Sequence, residues 1–341
     1  MGTRLWPRSR ASTPKHVLPL GDHGRPLLRE TYDRARALAD EVFVLTEVRQ
    51  GPIVKSVLPE IDDAHMILEP SARGTTNAYG LAALTLNDRD PGLVMLALPA
   101  DHVVRGSAKV ARAVRAAVRA AATTSALVTV GLKPTFPSTG LGYIHAPGKT
   151  LGGVKRVRRF IEKPGLAAAK RYLRSGGYYW NLAWFSWRTE VFIEELAKHA
   201  PRHLAGLRHV MVARASGDEA EAARLYARLP VEVVDRSVME KTDRLVLVPA
   251  DFDWADIGNW SELGDRVRAD ARGNSVEGEA VLIDTRGSLV LGDRRLIAAI
   301  GLEDVIIIDT EDALLVCPRS RAQDVRKVVD ALRRARKTRY L

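Results

Sequence analysis

Short apolar runs alternate with longer amphipathic stretches through the first third of the chain. Residues 41–46, 65–69, 93–101 and 126–131 read as buried strands, and residues 27–39, 76–86 and 107–122 as helices. In the last of these helices Val110, Val114 and Val118 recur on one face while Arg112, Arg115 and Arg119 fall elsewhere, the 3.6-residue signature of a helix with one buried side. Buried strands separated by helices predict an open α/β layer with a mostly parallel sheet covered on both faces.

The middle of the chain is less regular. It holds a helix over residues 166–174, an aromatic run "YYWNLAWFSW", and two helical stretches near 190–215 and 219–229. "RLVLVPADFDWADIGNW" then returns an apolar strand into a carboxylate-rich turn and a helix beginning near Trp260. Beyond about Arg272, short β-type runs are separated by Gly and Asp turns and closed by the helical "RAQDVRKVVDALRRA". The pattern predicts two domains, 1–272 and 273–341, the second small and β-rich.

Composition narrows the function classes. With 46% hydrophobic and 27% charged residues, the chain has globular rather than disordered chemistry. One cysteine, Cys317, excludes a disulfide framework and a cysteine metal cluster, and fits a reducing cytoplasm. No run approaches the roughly 20 apolar residues of a membrane span, and a proline-broken basic segment stands where a signal peptide would be apolar. The net charge of +11 suits nucleic acid or an anionic small substrate. Without zinc-finger spacing or an aromatic–basic platform, the reading is no nucleic acid and no membrane.

The candidate chemistry lies at strand ends. "LALPAD" carries Asp101 just beyond an apolar strand, where ligands of open α/β sheets bind; there it serves either as a Mg²⁺ ligand or as a cap for the next turn. Asp251, just ahead of "FDWADIGNW", and its Asp253 and Asp256 are expected to crowd one turn, exposed to solvent or relieved by a cation. Asp256 is favoured over Asp253 as a second metal ligand because Gly258 permits close backbone approach. "FIEKPG" places Glu162 and Lys163 at a strand end, suited to sugar hydroxyls and phosphate or simply an exposed ion pair. In "GTRLWPRSRASTPK", Gly2 admits a ligand near the backbone while Arg4 and Lys15 reach phosphates. Arg73-Gly74-Thr75 is a further polar loop, or a helix start capped by Thr75 or Thr76. "GKT" at 148–150 lacks the P-loop glycines and a preceding strand. No catalytic triad stands out. The chemistry indicated is phosphoryl-group transfer by positioning and charge stabilisation.

Together "GTRLWPRSR", "EPSARGT", "LPADH", "GYIH", "FIEKP", "YYWN", "VMEK", "FDWADIGNW" and "CPRSRAQDV" resemble the bacterial mannose-1-phosphate guanylyltransferases of the sugar-nucleotidyltransferase superfamily, over residues 1 to about 329. The resemblance implies a Rossmann-like, glycosyltransferase-A-like fold with a mixed, mostly parallel sheet, and a short left-handed β-helix-like second domain. It implies a Mg²⁺-dependent reaction of GTP with mannose 1-phosphate giving GDP-mannose and pyrophosphate by direct attack on the α-phosphorus. Gly2, Thr3, Arg4, Lys15 and Arg73 would bind the nucleotide, and Gly142, Glu162, Lys163 and Asn181 the sugar phosphate. Asp101 and Asp256 would hold the metal, with Arg4, Lys15, Asp101 and Lys163 as the catalytic set. Some relatives continue into a cupin-like isomerase domain, so only the transferase activity is implied, and homodimerisation stays open.

Three departures accompany the resemblance. Met1 stands at the variable position of "LAGG-x-GTRLWP", so that a first strand is expected to be missing. Gly74 replaces a common Asn, and Leu182-Ala183 replaces a common Ser-Gly. The alternatives are therefore a nucleotidyltransferase for another sugar 1-phosphate or nucleotide, and a catalytically impaired homologue with a binding or regulatory role.

Overall fold

The computed structural model describes residues 2–21 and 24–341, so Met1 lies outside the described residues. The chain divides into two compact units. Asp33–Pro99 and Val104–Asp253 form the larger; Met1–Tyr32, Ala100–Val103 and Trp254–Leu341 form the smaller.

The larger unit is built on a seven-stranded mixed sheet. Its strands run in the order Lys155–Arg156, Leu245–Ala250, Leu127–Leu132, Tyr178–Arg188, Tyr143–His145, Arg159–Ile161, and Val94–Ala97 also pairs with Tyr178–Arg188. Leu245–Ala250 and Leu127–Leu132 are parallel, whereas the remaining pairs are antiparallel. A separate parallel pair joins Val44–Glu47 to Met66–Glu69. The α/β class with a mixed sheet stands, but its parallel share is smaller than the apolar runs suggested. The reason is Tyr178–Arg188, an 11-residue strand long enough to take three antiparallel partners. Buried on both faces, it shows no polar–apolar alternation, which is the mark of a parallel strand in sequence.

Helices Thr75–Arg89, Ser107–Thr123, Thr189–His199 and Pro201–Ala215 belong to this unit. The single stretch expected near 190–215 is thus two helices. Pro201 supplies the first residue of the second, and its ring drives Ala200 out of helical geometry, to φ −139° and ψ 50°. The core is aromatic: Phe185, Trp187, Phe192 and Tyr226 are fully buried, with Trp187 and Phe192 stacked 4.1 Å apart. Each such side chain contributes about 1.5–3 kcal/mol on burial.

The smaller unit stacks short strands in parallel. Ser275–Glu277, Leu289–Leu291 and Val305–Asp309 form one face, extended by antiparallel Leu314–Pro318; Ala280–Ile283 and Ile297–Ile300 form another. Leu289, Leu291, Ile306 and Ile308 point into a core shared with Val325 and Val329 of the helix Val325–Arg334. The opening segment belongs to this core through Leu5, Trp6 and Leu18. Two indole hydrogen bonds fix it: Trp6 Nε1 donates to the Tyr340 carbonyl and Trp260 Nε1 to the Trp6 carbonyl, each at 2.8 Å.

Candidate functional site

The opening loop is held by its own cations. The chain turns through Thr3–Leu5 and again through Lys15–Val17, with Pro14 extended before the second turn. Arg8 pairs with Glu277 and Arg10 with Asp312, so both tether the loop to the β-rich stack. Arg4 stays exposed. Lys15 is buried and reaches two carboxylates: Nζ donates to Asp101 Oδ2 at 2.9 Å and to Asp256 Oδ1 at 2.5 Å. Gly2 makes room for it, since a Cβ at residue 2 would lie 2.8 Å from Lys15 Cβ.

Burial alone would push the Lys15 ammonium down, but the two carboxylates outweigh it and its pKa is raised. Asp101 shows the converse. Burial opposes its charge, and Lys15, with help from His102, still holds the carboxyl below its usual range. The turn after Asp256 is fixed by an N-terminal cap. Asn259 Oδ1 accepts from the backbone N–H of Ser261 and Glu262, and Glu262 accepts from Gly258 N–H at 2.6 Å and from Asn259 Nδ2 at 2.7 Å. Burial and then the nearby Asp256 push Glu262 up, with the Gly258 N–H opposing.

Asp251 and the two aspartates of "FDWADIGNW" do not crowd one turn. Asp253–Asp256 is a strand, which turns successive side chains apart. Asp251 pairs with Lys109 at 2.9 Å, Asp253 faces Arg105 at 4.0 Å, and Asp256 takes Lys15. Each carboxylate finds its own cation.

A second cluster forms within the larger unit. Glu162 and Lys163 follow directly on the strand Arg159–Ile161, and their side chains pair at 3.0 Å. Lys163 adopts φ +44°, a left-handed conformation that ends the strand abruptly. Glu162 N–H donates to Glu240 Oε1 at 3.2 Å, which brings the "VMEK" motif against "FIEK". Asn181 N–H donates to the Gly142 carbonyl. A Cβ on Gly142 would come within 2.9 Å of Glu162 Oε2 and 3.3 Å of Asn181 Cβ, so only glycine lets these two polar groups converge. Asn181 Nδ2 donates to Asp235 Oδ1 at 2.9 Å, while its Oδ1 accepts from Ala183 N–H at 3.0 Å.

Asp235 has no part in the sequence-based assignment. Burial, reinforced by the negative charge of Glu162, pushes its carboxyl up to about 6. Its short sequence surroundings carry no signal of this, apart from lying just ahead of "VMEK". Arg73 donates through Nε to the Leu229 carbonyl at 2.9 Å. Asn77 Nδ2 donates to the Arg73 and Pro230 carbonyls, so the "EPSARGT" loop is tied to the segment leading to Asp235. Gly74, at φ +84°, sits so close to the Glu232 carbonyl that a Cβ would be 2.2 Å away.

The donor set around Lys15 suits a hard divalent cation. Two carboxylate oxygens on separate segments already converge on one ammonium, and Mg²⁺ binds through one or two carboxylates with remaining positions left to water and phosphate. Among the described residues no group of three or more His, Cys, Asp or Glu gathers as a larger metal cluster.

This fold and loop are those of a nucleotidyl-transferring enzyme: residues 1–272 match the family model described as nucleotidyl transferase. Residues 278–332 match a model described as MannoseP isomerase/GMP-like beta-helix domain. The xanthan biosynthesis protein XanB of Xanthomonas campestris pv. campestris is 39% identical over 98% of this chain and 72% of its own length. A mannose-1-phosphate guanylyltransferase of Escherichia coli is 36% identical over 99% of this chain and 73% of its own. A crystal structure from Thermus thermophilus, described as mannose-1-phosphate geranyltransferase, superposes with a TM-score of 0.87 at 34% identity, covering 97% of this chain and 96% of that one. The chain belongs to the sugar-1-phosphate nucleotidyltransferases related to mannose-1-phosphate guanylyltransferase. Membership implies the Mg²⁺-dependent nucleotidyl transfer of that family. No helix among the described residues is long and apolar enough to cross a membrane.

Proposed function

We propose that the protein is a mannose-1-phosphate guanylyltransferase, joining GTP and mannose 1-phosphate into GDP-mannose with release of pyrophosphate. The observation that carries this reading is the convergence of Lys15, Asp101 and Asp256, set beside relatives described as mannose-1-phosphate guanylyltransferases at this identity and coverage. Gly2, Thr3, Arg4 and Lys15 take the triphosphate: the loop offers backbone N–H groups, an exposed guanidinium and an ammonium. Arg73 serves the nucleotide side by holding its loop against the Leu229 carbonyl. Asp101 and Asp256 hold Mg²⁺, which when bound supplies charge neutralisation at the phosphates. With the carboxylates so engaged, the Lys15 ammonium would be free to pair with the phosphates.

On the sugar side, Lys163 faces the sugar phosphate, and Glu162 and Asn181 face ring hydroxyls, with Gly142 keeping the space open. The attacking phosphate oxygen is already ionised near neutral pH, so no strong general base is required. Catalysis then consists of alignment and stabilisation of charge on the α-phosphoryl group.

Pyrophosphate release measured over a matrix of nucleoside triphosphates and sugar 1-phosphates tests this. Preference for GTP with mannose 1-phosphate is the expected result. Preference for another pair moves the protein elsewhere in its family, and no release with any pair defeats the enzymatic reading.

A further inference from the structure

Asp235 opens the short helical turn Asp235–Met239 and is half-buried, so it remains reachable from solvent. Three observations set it beside the sugar-phosphate cluster. Its Oδ1 accepts from Asn181 Nδ2 at 2.9 Å. It feels the charge of Glu162, whose side chain is nearly buried at 12% exposure. Asn181 and Glu162 in turn meet over Gly142.

The Asn181 amide has its orientation fixed from both sides. Its oxygen accepts from Ala183 N–H, with Thr129 Oγ1 at 3.4 Å, and its nitrogen donates to Asp235. One of the two Nδ2 hydrogens is then taken, and the carboxylate keeps acceptor capacity, since each of its oxygens carries two lone pairs. Two carboxylates in one half-buried place repel, and Lys163 makes its ion pair with Glu162 while acting on Asp235 only as a nearby charge. Such an arrangement has surplus acceptors and fits neutral donors, which adjacent hydroxyls of a sugar ring are.

We propose that Asp235 is a specificity-determining residue of this site: it accepts a hydrogen bond from the ring hydroxyl neighbouring the one taken by Glu162, and it holds Asn181 in register for the same ring. This rests on the reading of the protein as a transferase acting on a sugar 1-phosphate. The two carboxylates then read a pair of vicinal hydroxyls, while Lys163 reads the phosphate. Discrimination among sugar 1-phosphates follows from which neighbouring hydroxyls can reach both oxygens, because a site built for a hydroxyl strongly rejects the analogue that lacks it.

The test is a mutant cycle with GTP, mannose 1-phosphate and its monodeoxy analogues on wild type, Asp235→Asn and Asp235→Ala. Asp235→Ala should raise the KM for mannose 1-phosphate about 10- to 100-fold and leave the KM for GTP within about twofold. At one ring position the deoxy analogue should be as poor for wild type as for the variant, so that the substitution adds nothing further there. An equal loss with every analogue would overturn the proposal, since a merely structural defect is blind to ring position. Asp235→Asn keeps the shape and an acceptor for Asn181, and should show a smaller loss at the same ring position. Loss at no position, or at a different one, counts against the assignment. Should wild type prefer another sugar 1-phosphate, the guanylyl–mannose reading fails, yet the same cycle with that sugar's deoxy series still decides the role of Asp235.

Discussion

Lys15 Nζ lies 2.5 Å from Asp256 Oδ1 and 2.9 Å from Asp101 Oδ2, so one ammonium stands where the two proposed metal ligands meet. A lysine in that place keeps the carboxylates charged and close, and the same lysine is the proposed partner of the triphosphate. Replacing it by Met should therefore act in two ways. In the absence of Mg²⁺, Lys15→Met leaves two carboxylates facing one another and should lower stability by about 2 kcal/mol, discounted from a fully buried pair because the aspartates are accessible to water. Added Mg²⁺ should raise the variant's Tm more than that of wild type, because the ion no longer competes with an ammonium. Thermal melts at matched ionic strength check this; equal responses to Mg²⁺ would remove Asp101 and Asp256 from the metal role. The kcat/KM for GTP should fall about 100-fold or more.

Asp253 and Asp256 are separated by their surroundings rather than by their sequence. Asp253 is about half exposed and faces Arg105, whereas Asp256 is drawn to Lys15. Asp256→Asn should reduce kcat about 100-fold at saturating substrates and raise the Mg²⁺ concentration needed for half-maximal rate. Asp253→Asn should change kcat by less than about threefold and stability by no more than about 0.5 kcal/mol. Mg²⁺ titrations of initial rate for both variants distinguish them, and the reverse ranking would transfer the ligand role to Asp253.

What the sequence shows and what it hides divides along physical lines. Strand-end Asp101 and the "FIEK" pair are legible because an apolar run ending in a polar residue marks the edge of a sheet. The reach of Lys15 to both aspartates is not, because the partners lie 86 and 241 residues along the chain and no local pattern encodes the meeting. The strand Tyr178–Arg188 is recognisable as buried, but its antiparallel pairing is not, since burial on both faces erases the alternation. Asp235 is hidden for another reason: its importance comes entirely from burial beside Glu162 and Asn181, and a single Asp between valines and an Arg reads as ordinary surface.

Ala183 adopts φ +54°, a left-handed backbone that favours glycine. The strand pairing shifts register nearby, between Thr129 and Gly131. An alanine held there costs about 1–2 kcal/mol, and the extra freedom of glycine in the unfolded chain offsets about 0.4–1 kcal/mol of any relief. Ala183→Gly should therefore stabilise the protein by about 0.5 kcal/mol in denaturant titrations. Because the Ala183 N–H to Asn181 bond is backbone-donated, the KM for sugar 1-phosphate should stay within about twofold. A destabilised variant would show that the methyl group's packing outweighs the strain.

Burial, with Glu162 adding to it and the Asn181 hydrogen bond and Lys163 opposing, raises Asp235 to about 6 in the folded state, against 3.8 for an ordinary aspartate. The folded protein thus binds this proton more tightly than the unfolded chain. Its contribution to stability is fully present below about pH 3.8 and is lost as pH rises through about 6. Asp235→Asn removes the titration while keeping an acceptor for Asn181. Its stability relative to wild type should therefore increase between about pH 4 and pH 7 and level off above, which urea titrations across that range would measure. Glu162 and Lys163 face the same carboxyl, so the comparison should be repeated in a Lys163→Met background, where the loss of a neighbouring cation should move the transition to higher pH. A stability difference that does not vary with pH would mean that Asp235 titrates alike in the folded and unfolded states, and that its burial does not oppose its charge.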